Sequence, residues 1–192
     1  MDLKYIVIDN KYTNIKQVLR EKFNISSRLF VKLRNSNHVF LNGKIASCKE
    51  DLALNDVVEV DLSFVEDNSN IVSTKMNLDI LYEDEYMLIV NKPAGIAVHP
   101  SILHYDTSLS NGVKYYFDNI DLHRKIRIVN RLDRDTSGIV IFAKNEYIQE
   151  CLTYQMKTKE FKKEYIGILE GNHDIKSGTI NAPIARKERK YY

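Results

Sequence analysis

The residues whose types and spacing best suit chemistry lie at 131–138, in the run Arg-Leu-Asp-Arg-Asp-Thr-Ser-Gly. Asp133 has arginines close by on both sides, and a nearby guanidinium favours the charged form of a carboxylate. An ionised aspartate can act as a nucleophile or a base. Thr136 and Ser137 can hydrogen-bond their own backbone, and Gly138 tolerates conformations that other residues resist. The run is therefore predicted to be a shaped loop that presents a carboxylate.

Two other interpretations of this loop remain open. One is an exposed, ion-paired surface loop without a function. The other takes Asp133 and Asp135 as a D-x-D metal site of a nucleotide or sugar transferase, because alternate residues share one face of an extended chain. The flanking arginines would compete with a metal for these carboxylates, which weighs against the metal site.

The loop is flanked by two short apolar runs, 127–129 and 139–143, which are typical of buried strands. A loop between two buried strands is held by a rigid scaffold, and binding and catalytic side chains concentrate in such loops. The pattern predicts further strands at 78–82 and 86–91. It also predicts a helix from Thr107 or Ser108 to Phe117, and another that Asn145 caps.

Four stretches of the sequence resemble motifs of one known family. The run 131–138 resembles the R-L-D-x-x-T-S-G motif of the RluA-type pseudouridine synthases, which isomerise uridine to pseudouridine in ribosomal and transfer RNA. Residues 91–100 look like the family's N-K-P-x-G-x-x-V-H-P segment. Residues 162–171 resemble its K-x-Y-x-x-x-x-x-G strand, and 178–186 its G-x-I-x-x-P-I-x-R turn. The resemblance covers residues 78–186.

The resemblance implies a role for each matching residue. Asp133 is the expected catalytic carboxylate, and Arg131 the expected filler of the gap that a flipped uridine leaves. Tyr165 is expected against the aspartate and the target base, where it can stack or relay a proton. Arg134 and Asn130 are expected RNA contacts, although Asn130 stands where the family usually has histidine and cannot carry a positive charge. No metal and no organic cofactor are implied.

The first third of the sequence carries a second, less specific resemblance. Asn14 is predicted to cap one helix and Ser26 or Ser27 a second, and Asn42-Gly43 predicts a tight hairpin before a strand at 57–62. Together these features resemble the small RNA-binding fold first recognised in ribosomal protein S-four. The resemblance implies phosphate contacts from four basic side chains, which otherwise would be a solvated face: Arg28, Lys32, Arg34 and Lys44.

Charge and composition exclude several classes of protein. The net charge of +2 does not diagnose a nucleic-acid partner, but residues 14–34 hold six basic residues and one acidic residue, whereas 50–67 hold seven acidic residues and no basic one. The two cysteines, Cys48 and Cys151, and the absence of a charged-then-apolar leader predict a reduced, cytoplasmic protein. No apolar run is long enough for a membrane span, so no membrane partner is expected.

The sequence therefore predicts an α+β protein: a small RNA-binding domain at 1–65, a linker at 66–77, and the first part of a mixed, mostly antiparallel pseudouridine synthase domain at 78–192. The expected partner is ribosomal or transfer RNA. The resemblance also implies a later G-R-T-H-Q-I-R-like motif that this sequence lacks. We therefore expect self-association through an unfinished sheet and RNA binding with little or no turnover, and a catalytically inactive RNA-binding protein is the alternative function.

Overall fold

The computed structural model describes residues 2–158, 160–171 and 177–183. The chain divides into a first unit that extends to Phe161 and a second unit that begins at Lys162. The first unit holds two four-stranded antiparallel sheets, each packed on helices over its own hydrophobic core. The predicted α+β class, with mostly antiparallel strands, is confirmed.

The N-terminal sheet follows the local signals of the sequence, with one addition. Asn14 and Ser26 cap their helices by accepting hydrogen bonds from the backbone N–H groups of Gln17 and Leu29, as predicted. Asn42 and Gly43 turn the hairpin with positive φ angles of 52° and 76°. The first strand was not among the predicted elements, and the sheet has the order β1-β4-β2-β3. The elements are β1 (Asp2–Ile6), α1 (Ile15–Gln17) with a π-helical continuation (Val18–Lys22), α2 (Ser27–Arg34), β2 (Val39–Leu41), β3 (Lys44–Ile45) and β4 (Val57–Asp61).

The second sheet also matches the predicted strands to within one or two residues. Its order is β5-β6-β8-β7, so β8 lies between β6 and β7. Helix α3 covers one face, where Val113 and Phe117 pack with Leu88, Val90 and Val140. The elements are β5 (Asp79–Glu83), β6 (Met87–Lys92), α3 (Leu109–Asn119), β7 (Arg127–Ile128), β8 (Gly138–Ala143) and α4 (Glu146–Lys157).

The stretch 66–77 that joins the two sheets forms neither helix nor strand. It is nevertheless fixed to its surroundings, because Glu66 is ion-paired and Ile71 is buried. The exact domain boundaries stay a prediction. None of the helices in the described part of the chain has the length and apolar character that crossing a bilayer requires.

The predicted strand at 162–171 is not a strand in the structure, where 160–171 contains no regular element. The alternation of side chains there favours a strand, but a strand forms only when a neighbour takes up its N–H and C=O groups. No described strand pairs with these residues. The end of the predicted turn at 178–186, including Arg186, lies outside the described residues.

Candidate active site

The loop that carries the R-L-D motif joins β7 to β8 as a hairpin. Because β6 pairs antiparallel with β8, Lys92 at the end of β6 lies opposite Gly138 at the start of β8. The segment after β6, which holds the Asn-Lys-Pro-Ala-Gly motif, therefore meets the R-L-D loop at one end of the sheet. The register of the sheet thus brings together two motifs that are distant in sequence.

Lys92 holds the two segments together from inside. Its side chain is fully buried and its Nζ donates to three backbone carbonyl oxygens: those of Pro93 at 2.9 Å, Ile96 at 2.8 Å and Arg134 at 2.8 Å. The same Arg134 oxygen accepts the Gly95 N–H at 2.9 Å, and Gly95 has a positive φ of 87°. Burial lowers the pKa of the Lys92 ammonium, and the charge of Asp135 opposes this effect. The backbone of the R-L-D loop is thereby fixed next to Asp133.

Asn130 fixes the other end of the loop. Its side chain is buried, its Nδ2 donates to the Ile139 carbonyl oxygen at 2.9 Å, and its Oδ1 accepts the Ile141 N–H at 2.9 Å. The carboxamide thus replaces the ladder bonds that β7 would make if it continued along β8. This gives Asn130 a structural role, and its contact with RNA stays a prediction.

Between these two anchors the loop alternates its side chains. Leu132 packs against the second core, whereas Arg131 and Asp133 on either side are exposed. The Thr136 N–H donates to the Asp133 carbonyl oxygen at 3.2 Å and closes a turn. Within the part of the chain that the structure describes, neither the Asp133 carboxylate nor the Arg131 guanidinium has a hydrogen bond or an ion pair. Both groups are therefore available to a substrate.

The second aspartate of the loop is committed elsewhere. Both oxygens of Asp135 accept from the Arg134 guanidinium, at 3.1 Å and 3.2 Å. This hydrogen bond lowers the pKa of Asp135, despite the opposing effect of desolvation. No cluster of three or more His, Cys, Asp or Glu side chains suited to a metal occurs among the described residues.

The four basic residues assigned to RNA divide into two pairs. Arg28 and Lys32 on α2 face carboxylates of the other half of the first unit: Arg28 pairs with Glu146 at 3.5 Å and Lys32 with Glu66 at 3.1 Å. Arg34 and Lys44 are exposed and have no carboxylate partner in the described chain. Arg34 and Lys44 are thus the better placed for phosphate, and the role of all four in RNA binding stays a prediction.

Tyr165 belongs to the second unit, in a stretch without helix or strand. Its role beside Asp133 stays a prediction.

The sequence places Lys92 in the family-like segment 91–100 but predicts no structural role for its side chain. The signal that marks it is the inward alternation of β6, in which Leu88, Val90 and Lys92 are all buried. A lysine at such a position must find acceptors, because an unpaired buried ammonium is costly. No comparable sequence pattern predicts the structural role of Asn130, because polar residues are common at the end of a strand.

Comparison with known proteins identifies the family of the chain. Residues 86–192 match the family model described as RNA pseudouridylate synthase. A Bacillus subtilis protein named uncharacterized RNA pseudouridine synthase YhcT is 43% identical over 131 residues, which is 68% of this chain and 43% of that protein. Ribosomal large subunit pseudouridine synthase D of Buchnera aphidicola is 36% identical over 170 residues, 88% of this chain and 54% of that protein. The corresponding synthase D of Borreliella burgdorferi is 35% identical and covered over 51% of its length.

The chain belongs to the RNA pseudouridylate synthase family. It spans about half the length of the curated relatives it matches. Among solved structures, human RNA pseudouridylate synthase domain containing 1 aligns over 43% of this chain and 29% of its own, with a TM-score of 0.35 and 25% identity. That overlap is partial, so the family assignment rests on the sequence matches.

Proposed function

We propose that this protein isomerises uridine to pseudouridine in structured RNA, with Asp133 as the catalytic carboxylate. The main support for the proposal is that the R-L-D loop combines a fixed backbone with a carboxylate that is unpaired among the described residues. Its backbone is clamped by Lys92 and Asn130, while the carboxylate of Asp133 is exposed and uncommitted. A rigid backbone that presents a free carboxylate suits a group that must be held close to a reacting sugar.

The reaction conserves all atoms of the nucleotide. Asp133 attacks the anomeric carbon of the ribose, or removes a proton from the adjacent carbon, and the bond from that anomeric carbon to N1 of uracil breaks. Positive character on the sugar is stabilised by the carboxylate, as in glycoside hydrolysis. The uracil then rotates and its C5 bonds to the anomeric carbon; in the first route this breaks the bond to Asp133, and in the second Asp133 returns the proton to the adjacent carbon. The C5 proton is then lost to a base and N1 gains a proton. No cofactor is needed.

A uridine inside a helix must leave the base stack to reach Asp133, which costs a few kcal/mol. Arg131 is proposed to fill the gap, supported by its exposure next to Asp133 and its lack of a partner among the described side chains. Tyr165 is proposed to stack on the base and to assist proton transfer, on the strength of the family motif alone.

The proposed substrate class is ribosomal RNA, with transfer RNA as the alternative. Relatives named ribosomal large subunit pseudouridine synthase D support the first choice. The N-terminal sheet, with Arg34 and Lys44 exposed, is proposed to bind phosphates of that RNA.

The test, on a version of the chain extended to the length of its curated relatives, is release of tritium from transcripts labelled at C5 of uridine, with RNA affinity measured in parallel. Asp133→Asn keeps the shape of the side chain and removes its charge, so RNA binding should persist while tritium release is lost. Asp135→Asn is the matched control and should retain most of the activity. Turnover by Asp133→Asn near the wild-type rate would overturn the assignment. RNA binding by the wild-type protein without tritium release would favour a binding protein instead.

A further inference from the structure

The two halves of the first unit are joined by a buried carboxylate. Glu66 accepts two hydrogen bonds from the Arg127 guanidinium, Nη1 to Oε2 at 2.5 Å and Nη2 to Oε1 at 2.7 Å. Its Oε1 also accepts from Lys32 Nζ at 3.1 Å. The Glu66 and Arg127 side chains are only 8% and 9% exposed. We call Glu66, Lys32 and Arg127 the Glu66 cluster.

The three members come from three different parts of the chain. Lys32 lies on α2, whose Leu29 and Leu33 are in the core of the N-terminal sheet. Arg127 opens β7, which pairs with β8 and runs directly into the R-L-D loop. Glu66 lies in the stretch between the sheets. One carboxylate therefore connects the RNA-binding half to the strand that carries the loop.

Further contacts reinforce the cluster. The Arg124 side chain donates to the backbone carbonyl oxygens of Leu62 and Phe64, and the Glu66 N–H donates to the His123 carbonyl oxygen at 3.0 Å. Lys32 Nζ lies 3.8 Å from the centre of the Phe64 ring.

Helix α4 adds a second point of attachment. Glu146 at its first turn pairs with Arg28 at 3.5 Å and lies 3.9 Å from Lys32 Nζ. Tyr147 packs against the N-terminal core. The junction is thus held by several contacts of different kinds.

These contacts have a geometric consequence. Domains connected by a polar linker move relative to each other unless an interface restrains them. Breaking a buried ion pair by removing one partner is costly, because it leaves the other charge buried and unpaired. The Glu66 cluster therefore fixes the distance and direction from the RNA-binding half to Asp133.

We infer that Glu66 is a positioning residue that determines which uridines this protein selects, because it holds the RNA-binding half in one orientation to the R-L-D loop. The inference rests on the proposed function. A uridine reaches Asp133 only if the phosphates bound by the N-terminal sheet lie at the fixed distance. Small RNAs that contact the loop alone escape this requirement.

The test uses a version of the chain extended to the length of its curated relatives and compares two RNAs: a ribosomal RNA transcript with a mapped pseudouridine, and the isolated hairpin that carries the same uridine. Glu66→Gln is expected to lower kcat/KM about tenfold for the long transcript and to change it less than about twofold for the hairpin, because only the long RNA uses both halves. Off-target uridines in the transcript should gain modification. Glu59→Gln is the matched control, since Glu59 pairs with Lys4 at 2.9 Å on the N-terminal sheet away from the junction.

Backbone hydrogen exchange without RNA provides an independent readout. Glu66→Gln should speed exchange at 62–68 and 122–127, whereas Glu59→Gln should not. Equal losses of kcat/KM on both RNAs would indicate a general defect and overturn the inference, as would unchanged selectivity. Absence of tritium release by the wild-type protein from either RNA would overturn the proposed function instead, and the exchange data would still report whether Glu66 fastens the two halves.

Discussion

The buried Nζ of Lys92 donates a hydrogen bond of 2.8 Å to the backbone carbonyl oxygen of Arg134, 42 residues further along the chain. This bond ties the end of β6 to the residue that follows Asp133. The Asn-Lys-Pro-Ala-Gly motif and the R-L-D motif, which sequence alone assigns to one family, are therefore in direct contact. The first segment fixes the backbone conformation of the second.

Replacing Lys92 with methionine should loosen the R-L-D loop. The change removes the hydrogen bonds of Lys92 to three carbonyl oxygens, of which, among the described residues, only that of Arg134 keeps another donor, the Gly95 N–H. A lost hydrogen bond from a charged group costs about 1.5–3 kcal/mol. We expect a drop of that size in the free energy of unfolding, measured by denaturant titration, and a drop in tritium release beyond what the stability loss explains. Lys144→Met is the matched control, because Lys144 is also buried but binds Glu83 and Asp84 at the opposite end of β8. Equal activity losses in both variants would contradict the idea that Lys92 fixes the backbone of the R-L-D loop for catalysis.

Asn130→Ala should destabilise the hairpin between β7 and β8. It leaves the Ile141 N–H and the Ile139 carbonyl oxygen unpaired at the end of the sheet, at a cost of about 1–3 kcal/mol. Denaturant unfolding would measure the loss, and hydrogen exchange at the Ile141 amide should speed up. An unchanged exchange rate at Ile141 would show that the carboxamide is dispensable.

Arg34 and Lys44 should account for a measurable part of the salt dependence of RNA binding. Each phosphate contact contributes close to one unit to the slope of log affinity against log salt, so Arg34→Ala with Lys44→Ala should flatten the slope by about 1–2 units. Lys32→Ala should change the slope less, because Lys32 already pairs with Glu66. Lys4→Ala removes one positive charge elsewhere on the N-terminal sheet and serves as the control for each single replacement. A similar flattening in Lys4→Ala would show that the change in slope follows the net charge of the protein and not phosphate contacts at Arg34 and Lys44.

Glu66 should make the stability of the protein sensitive to acid. Burial alone would raise its pKa, but the hydrogen bonds and charges of Arg127 and Lys32 outweigh burial and lower the pKa from 4.5 to about 2. A lowered folded-state pKa contributes stability that is present above the unfolded value of 4.5 and is lost as the pH falls from there toward 2. A shift of this size corresponds to about 3 kcal/mol.

The measurement is denaturant unfolding of the wild-type protein and Glu66→Gln across this pH range. The difference in unfolding free energy between them should be largest at neutral pH and shrink below pH 4.5, where Glu66 begins to take up a proton in the unfolded chain. Glu59→Gln is the control. A difference that stays constant down to the acid limit would show that the charge of Glu66 is not what fastens the junction.

The sequence by itself determined the features that depend on near neighbours. Asn14 and Ser26 are helix caps because their side chains reach backbone N–H groups three residues away, and Asn42-Gly43 is a turn because both residues accept positive φ. The strands around the R-L-D loop followed from their apolar runs. The family followed from eight consecutive residues at 131–138.

Tertiary structure alone decided the partners of the charged and polar side chains. Nothing local distinguishes Lys32, which faces Glu66, from Arg34 two residues later, which is exposed, because the difference is set by a segment far along the chain. The same holds for Asn130 and for Glu66 itself. In the stretch 162–171 a local pattern is present but a tertiary partner among the described residues is not. The alternation of its side chains predicts a strand, but no described strand pairs with it. Periodicity and capping act over a few residues, whereas burial, ion pairing and strand pairing depend on which distant segments the fold brings into contact.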